Sequence, residues 1–514
     1  MPENAVGREI PTLVRGRHLV PFKGAYERFP RGWKVPLPLK PSDYGTDKLV
    51  GSIPEVFELA GITHGACLSF HHHLRNGDYV LNMAMEEAAR RGLKGLKLAQ
   101  SALFPVHEPI VKMIENGTIA SIEGSINGPV GRVVSEGKMD DVAVLRSHGS
   151  RVRAIHTGAL RIDTAFIAAP IADRYGNANG RYGRSACGPL GYALADARYA
   201  RNVVVVTDNL APYPVLPPII PQVYTDWVVQ VPAIGDPKGI SSGTTERTTD
   251  TERLGIARSA VALADACGVV RNGMSFQAGA GGISLAAIDC LIEAMRGKGV
   301  RARFVHGGIT SQIVRMLREG LVEMILNTQS FDLESVESLR TENGHFEIEP
   351  DFYANPFNRG QLVKMLDLAF LSATEVDIDF NVNVSTHSDG YLLHGIGGHQ
   401  DVAAGAGLCI IACPTHRKSW PIVVRRVTNV TTPGETIDAV VTEEGIAVNP
   451  MRDDILEAAK EAGLKVVDIQ DLAKRAEEKA GGCPPQPAFT DRIVAIIAYR
   501  DGTVIDVVYQ VRRG

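Results

Sequence analysis

Residues 374–405 read TEVDIDFNVNVSTHSDGYLLHGIGGHQDVAAG, the most distinctive stretch of the chain. Apolar and polar residues alternate over 375–384, which predicts one half-buried strand. A polar turn at 388–390 follows, and Gly395-Ile396-Gly397-Gly398 then precedes small residues that suit a helix start. A glycine loop between a strand and a helix presents backbone N–H groups to an anion or to a developing oxyanion. A tightly packed turn that requires glycine is the alternative, and this stretch alone does not separate the two.

The composition is that of a globular enzyme with more than one domain. At 514 residues the chain is too long for a single hydrophobic core. The net charge is −4 and no dense run of Lys and Arg occurs, which argues against a nucleic-acid partner. Seven scattered cysteines without a CxxC pair favour a reduced, cytoplasmic protein. The sequence lacks a signal-peptide pattern and an apolar run of roughly 18 residues, so neither secretion nor a membrane span is expected.

The order of predicted elements indicates an α/β fold with an N-terminal arm. Residues 1–51 contain scattered prolines and basic residues, so we expect an arm that lies on the body or on a partner. Residues 52–245 are predicted to form the first α/β domain, and residues 246–514 the second, which contains the glycine loops. The run of four valines at 203–206 is typical of a parallel strand buried on both faces.

Two pairs of similar segments suggest that the two domains are copies of one unit. RNGDYV at 75–80 resembles RNGMSF at 271–276. Each is predicted as a turn leading into a strand, at 79–82 and at 274–277, and then into a helix. IDTAF at 162–166 likewise resembles VDIDF at 376–380. Both pairs occur in the same order, which favours a duplication with the active site in the cleft between the copies.

Several common chemistries are excluded by their missing motifs. The chain has no P-loop, both glycine loops fail the dinucleotide fingerprint, and no Gly-x-Ser-x-Gly elbow occurs. Three histidines at 71–73 suggest a metal, but neighbouring residues of a strand point to opposite faces, so no metal is predicted. The loops at 277–282 and 395–398 remain, and such loops suit a phosphorylated cofactor and an acyl oxyanion.

The motifs resemble those of coenzyme A transferases. EVDIDFNVNVSTHSDG with GIGGHQD, together with NGMSFQAGAG, is similar to the second-domain signatures of that superfamily. SFHHHLRNGDYV and ACPTHRKSW resemble the citrate lyase alpha-subunit family within it, and the similarity extends over essentially the whole chain, including VVTEEGIAV at 440–448. The resemblance implies two similar tandem CoA-transferase-like domains, each with an open, largely parallel sheet.

The same resemblance implies the reaction, the cofactor and the partners. The acyl thioester would pass from acetyl-acyl-carrier-protein, or from acetyl-CoA, to citrate, giving a citryl thioester and acetate. The cofactor would be coenzyme A or a CoA-like prosthetic group carried on the acyl carrier (gamma) subunit. A beta subunit would cleave the citryl thioester. A citramalate-specific relative, another acyl-CoA transferase or thioesterase, and a non-catalytic binding module of the same fold are the alternatives.

The resemblance assigns the oxyanion donors, and the chemistry of the ligands suggests the remaining candidate site residues. The backbone N–H of Gly398, beside Gly397, and the side-chain amide of Asn355 match the oxyanion donors of the family. The candidates for the cofactor are Gly279, Gly281, Gly282, Gly395, Arg417 and Lys418. Citrate requires cations, and the side chains considered for its carboxylates are His71–His73, Arg151 with Arg153, and Arg181 with Arg184. Of these, His72, Arg181 and Arg184 are the predicted contacts.

One departure from the superfamily bears on mechanism. Gly308 falls where many CoA transferases have a nucleophilic glutamate, and glycine cannot form a glutamyl thioester. Glu375 lies in a different motif, so we expect it to be structural. The sequence therefore predicts a ternary complex in which a citrate carboxylate attacks the acetyl thioester and forms a mixed anhydride.

Overall fold

The computed structural model describes residues 1–27, 32–41, 45–71, 73–241, 248–279, 281–482 and 487–512. His72, a predicted citrate contact, lies outside the described residues. No helix in these ranges is long and apolar enough to cross a membrane.

The first half is built on a parallel sheet that has seven strands in the described part of the chain. Across the sheet these are Leu49–Val50, Trp227–Gln230, Asn202–Thr207, Thr164–Ala169, Cys67–Ser69, Leu96–Leu98 and Ile119–Ile122. The prediction for the valine run is confirmed, because residues 203–206 are fully buried and pair in parallel on both sides. The helices of this half are Ile53–Leu59, Val80–Arg90, Ile110–Glu115, Gly128–Ser135, His148–His156 and Gly191–Tyr199.

The second half is built on a sheet of eight strands, counted over the described ranges, in which every neighbouring pair is parallel except the last. Across the sheet these are His345–Glu347, Val322–Ser330, Ala302–Ile309, Ser275–Ala278, Leu368–Leu371, Leu408–Ala412, Ala439–Thr442 and Gly445–Val448. The helices are Thr251–Ala266, Gly282–Lys298, Ser311–Arg318, Leu333–Thr341, Pro350–Ala354, His399–Ala403, Asp453–Glu461 and Ile469–Lys479. Two large, mainly parallel sheets agree with the predicted fold class.

Smaller elements connect and flank the sheets. The short strands are Leu13–Val14 with Arg17–His18, Ile171–Ala172 with Ala178–Asn179, and His416–Arg417 with Trp420–Pro421. Turns of 3-10 helix occur at Arg75–Gly77, Pro105–His107, Pro237–Ile240, Leu362–Met365 and Gly434–Thr436.

The C-terminal hairpin belongs to the first half in space. Its strands, Phe489–Ala498 and Val504–Val511, are antiparallel, and the first of them pairs in parallel with Ala143–Leu145. The side chain of Asn4 donates hydrogen bonds to the carbonyls of Val504 and Ile505, so the N-terminal arm covers this hairpin. The domain boundary at residue 245 stays a prediction. The C-terminal hairpin, which the prediction placed in the second domain, packs on the first half.

The predicted single strand at 375–384 is wrong. Two short strands, Glu375–Asp377 and Val382–Asn383, pair antiparallel across a tight turn, and the first also pairs with Val423–Val424. The carboxylate of Asp377 accepts hydrogen bonds from the backbone N–H groups of Asp379 and Asn381. Phe380 adopts a left-handed φ of 63°. A carboxylate that captures its own downstream N–H groups favours a turn over an extended strand.

The first pair of similar segments does not adopt similar structures. The strand predicted at 79–82 is wrong, because Val80–Arg90 is a helix, whereas the corresponding segment in the second half is the strand Ser275–Ala278. The carboxylate of Asp78 accepts from the N–H groups of Val80 and Leu81 and so satisfies donors at the helix start. This pair therefore gives no support to a duplication.

Candidate functional site

The glycine loop at 395–398 lies between the two halves of the molecule. The carbonyl of Gly397 accepts a hydrogen bond of 2.9 Å from the N–H of His148, in the first half. Ile396 is 2% exposed and belongs to the apolar core of the first half. A Cβ atom at Gly395 would lie 1.9 Å from the Ser125 hydroxyl oxygen, so only glycine allows this close approach.

The N–H groups of this loop remain available to a ligand. Among the described residues, the backbone N–H groups of Gly397 and Gly398 donate no hydrogen bond. Both residues are partly exposed, and Gly397 has a left-handed φ of 61°. Unused N–H donors in a fixed turn are suited to an oxyanion. The loop is thus both a packed turn and a set of open donors.

A buried ion pair holds the segment that follows the loop. Asp401 accepts hydrogen bonds from the hydroxyl of Ser147 at 3.0 Å and the N–H of Gly149 at 2.9 Å, both in the first half. Its partner is Arg500, whose Nε lies 2.9 Å from an Asp401 oxygen. Arg500 also donates to the carbonyl of Ala354 at 3.1 Å. The segment after the loop, which belongs to the second half, is therefore bound to the first half through one carboxylate.

A tyrosine that sequence reasoning missed lies against the loop. A Cβ atom at Gly398 would be 2.3 Å from the hydroxyl oxygen of Tyr353. Gln277, in the strand Ser275–Ala278, donates its amide N–H to that hydroxyl at 3.1 Å. The ring of His306 packs edge-on against the tyrosine with centroids 5.2 Å apart, and burial lowers the pKa of His306 to about 3, so the imidazole is neutral. The only sequence signal was that Tyr353 lies two residues before Asn355.

Asn355 has other partners in this structure. Its amide nitrogen lies 2.6 Å from a carboxylate oxygen of Asp351 and 3.3 Å from Nδ1 of His156. Its amide oxygen accepts from the N–H of Phe357 at 3.1 Å. The predicted oxyanion role of Asn355 stays a prediction, and it would require the amide to exchange these contacts for the substrate.

Phe331 fills the space in which a side chain at position 308 would begin. A Cβ atom at Gly308 would lie 2.1 Å from the phenylalanine ring. On the same ring, the Arg75 guanidinium carbon lies 4.6 Å from the centroid. Glu375 is 3% exposed and its carboxylate accepts from Asn383 at 2.9 Å and from the N–H of Thr428 at 2.7 Å. Neither position offers a free glutamate.

Three of the six cofactor candidates line one cavity of about 110 Å³: Gly281, Gly282 and Arg417. Ser372 also lines it, and a Cβ atom at Gly281 would lie 2.5 Å from the Ser372 hydroxyl oxygen. The other three candidates lie elsewhere. The N–H of Gly279 donates to the carbonyl of Phe370, Gly395 lies at the junction of the halves, and Lys418 turns the short hairpin with a φ of 56°.

The arginines predicted for citrate are paired with acids. Nε of Arg181 lies 3.7 Å from Glu347, and Nε of Arg184 lies 3.4 Å from Asp208. Burial raises the pKa of Glu347 to about 7, which favours its protonated form. His71 is buried with Nδ1 4.0 Å from Asp196, and burial lowers its pKa to about 4. In the described ranges no three His, Cys, Asp or Glu side chains are placed to hold a metal ion.

Two large, mainly parallel sheets, joined at a glycine loop with open N–H donors, are the architecture expected of the CoA-transferase class. The family model described as citrate lyase, alpha subunit (CitF), matches residues 46–511, and the chain belongs to that family. It is therefore an enzyme of the transferase class, the CoA-transferase component of citrate lyase.

Named relatives and solved structures agree with this assignment. The citrate lyase alpha chain of Klebsiella pneumoniae is 42% identical over 496 residues, covering 96% of each chain. That of Escherichia coli K12 is 43% identical, covering 90% of this chain and 91% of the relative. The structure of a citrate lyase alpha subunit from Streptococcus mutans, in complex with citrate, has a TM-score of 0.96 at 42% identity and covers 99% and 100% of the two chains. A malonate decarboxylase alpha subunit from Acinetobacter baumannii, at 16% identity, 85% and 93% coverage and a TM-score of 0.61, shares the fold.

Proposed function

We propose that this chain transfers a carrier thioester from acetate to citrate within a ternary complex, without a glutamyl-enzyme intermediate. The observation that carries the proposal is the Phe331 ring, 2.1 Å from where a Cβ atom of residue 308 would lie. A nucleophilic glutamate at that position would require the ring to move. In the proposed mechanism a carboxylate of the substrate makes the attack instead.

The proposed reaction has two acyl-transfer steps. A citrate carboxylate oxygen attacks the acetyl thioester carbon, and collapse of the tetrahedral oxyanion expels the carrier thiolate and leaves a mixed citric–acetic anhydride. The thiolate then attacks the citryl carbonyl, and acetate leaves. Each tetrahedral oxyanion requires fixed donors, and loss of one donor typically costs about 10²–10³-fold in rate. The N–H of Gly398 is the proposed main-chain donor.

The carrier group and the partner subunits belong to the same proposal. The cavity between Gly281, Gly282 and Arg417 suits a phosphorylated arm, because Arg417 supplies a cation and the loop supplies N–H groups. We propose an acyl carrier subunit that delivers this arm and a beta subunit that cleaves the citryl thioester. Citrate is supported as the acceptor by the Streptococcus mutans relative, which was solved with citrate. The cytoplasmic location stays a prediction.

Initial-rate kinetics and chemical trapping test the mechanism. The purified chain is assayed with acetyl-CoA and citrate, or with citramalate in a parallel series, and the rate is measured over both concentrations. A ternary complex gives intersecting reciprocal plots with citrate, and borohydride treatment followed by mass spectrometry finds no reduced glutamate. Parallel plots with a reduced glutamyl residue would favour a glutamate-dependent transferase or thioesterase. If the chain transfers no thioester between acetyl-CoA and citrate, a non-catalytic binding module is favoured.

A further inference from the structure

We infer that the hydroxyl of Tyr353 is a catalytic donor to the acyl oxyanion, acting beside the N–H of Gly398. The inference rests on the proposed function and adds a residue to it. It begins from a contact: a Cβ atom at Gly398 would lie 2.3 Å from the Tyr353 hydroxyl oxygen. The position of the phenol thus requires glycine at residue 398, whose backbone N–H donates no hydrogen bond among the described residues.

The tyrosine is held rigidly in that position. It is 1% exposed, and its backbone N–H donates to the carbonyl of Glu349 within a short helix. His306 packs edge-on against its ring at 5.2 Å, and a neutral imidazole there brings no charge into the site. A donor that is already fixed needs no reorganisation when charge develops on the substrate oxygen.

The hydroxyl proton of Tyr353 makes only a long hydrogen bond within the protein. Gln277 donates its amide N–H to the phenol oxygen at 3.1 Å, which occupies a lone pair and leaves the O–H free to donate. The acceptor oxygen of the same amide is 3.4 Å away, longer than the usual 2.7–2.8 Å of an O–H···O bond. Burial also raises the pKa of the Tyr353 phenol well above its ordinary value, so it stays protonated at neutral pH.

Tyr353 thereby supplies the side-chain donor that was predicted from Asn355. The Asn355 amide nitrogen is within hydrogen-bonding distance of both Asp351 and His156, whereas the Tyr353 hydroxyl lies against the loop itself. Gln277 is a positioning residue, because it acts on the substrate only through the phenol.

The test uses Tyr353→Phe in the full chain, with acetyl-CoA and citrate as substrates. Loss of one oxyanion donor should lower kcat by about 10²–10³-fold while KM for citrate stays within about threefold. Tyr499→Phe is the matched control, because Tyr499 is also buried and its hydroxyl has no hydrogen-bond partner among the described residues. Its kcat should equal that of the wild type.

A double variant separates chemistry from folding. Tyr353→Phe leaves the Gln277 amide without its partner, whereas Gln277→Leu with Tyr353→Phe removes both polar groups and should restore the urea midpoint. The kcat loss should persist in the double variant. Wild-type kcat in Tyr353→Phe, or recovery of kcat together with stability, would overturn the inference and leave the proposed function intact. Absence of exchange by the wild-type chain would overturn both.

Discussion

Asp401→Ala should destabilise the chain far more than the removal of a comparable exposed aspartate. The Asp401 side chain is fully buried and that of Arg500 is 3% exposed, with 2.9 Å between Nε and the carboxylate. Truncating one partner of a buried pair leaves the other charge uncompensated and typically costs about 3–5 kcal/mol. The hydroxyl of Ser147 and the N–H of Gly149 lose their acceptor as well. We therefore expect the free energy of unfolding to fall by about 4 kcal/mol.

The chain contains a matched control at the same distance. Arg452 and Asp454 are also 2.9 Å apart, but the Asp454 side chain is 67% exposed. Asp454→Ala should cost about 0–1 kcal/mol, because solvent screens an exposed pair. Urea unfolding followed by circular dichroism measures both variants. If the two variants unfold within 1 kcal/mol of each other, the buried pair does not hold the halves together and the reasoning fails.

Two further predictions concern the crowded glycine and the buried acid. Gly308→Ala should lower the free energy of unfolding by about 1–3 kcal/mol, because its Cβ would lie 2.1 Å from the Phe331 ring. In a Phe331→Ala background the same substitution should cost less, and additive effects of the two substitutions in urea unfolding would contradict this. The pKa of Glu347 is raised from 4.5 to about 7, so the folded chain retains a proton that the unfolded chain loses, and stability falls as pH rises across that range. Relative to Glu347→Gln, the wild type should lose about 2–3 kcal/mol between pH 5 and pH 8, and parallel pH profiles would contradict the assignment.

Local sequence patterns predicted the parts of the fold that local physics determines. The valine run at 203–206 indicates a doubly buried strand because no polar face is available, and it lies inside the first sheet. The turn at 378–381 was missed because the Asp377 side chain, which fits the alternating pattern of a strand, accepts hydrogen bonds from the backbone instead. The alternation of apolar and polar residues reflects which side chains are buried, and it carries no information on local hydrogen bonds of this kind.

The candidate site was only partly predictable for a different reason. A glycine at position 398 indicates that another group packs closely against the backbone there, and the family resemblance assigns its N–H a role. Neither signal identifies the atom that packs against it. That atom is the hydroxyl of Tyr353, 45 positions earlier in the chain. Likewise, Phe331 lies against Gly308 only after two parallel strands pair. Contacts of this kind follow from tertiary packing and have no signature in a single sequence.

The pairing of the C-terminal hairpin with Ala143–Leu145 has a consequence for biosynthesis. About 340 residues separate this early strand from its partner at Phe489–Ala498, which is a delay of about 20–70 s at typical translation rates of about 5–20 residues per second. During that interval the edge of Ala143–Leu145 lacks this partner, and unpaired strand edges promote aggregation. A nascent chain therefore exposes this edge for a long interval, and the ion pair between Arg500 and Asp401 forms only near the end of synthesis.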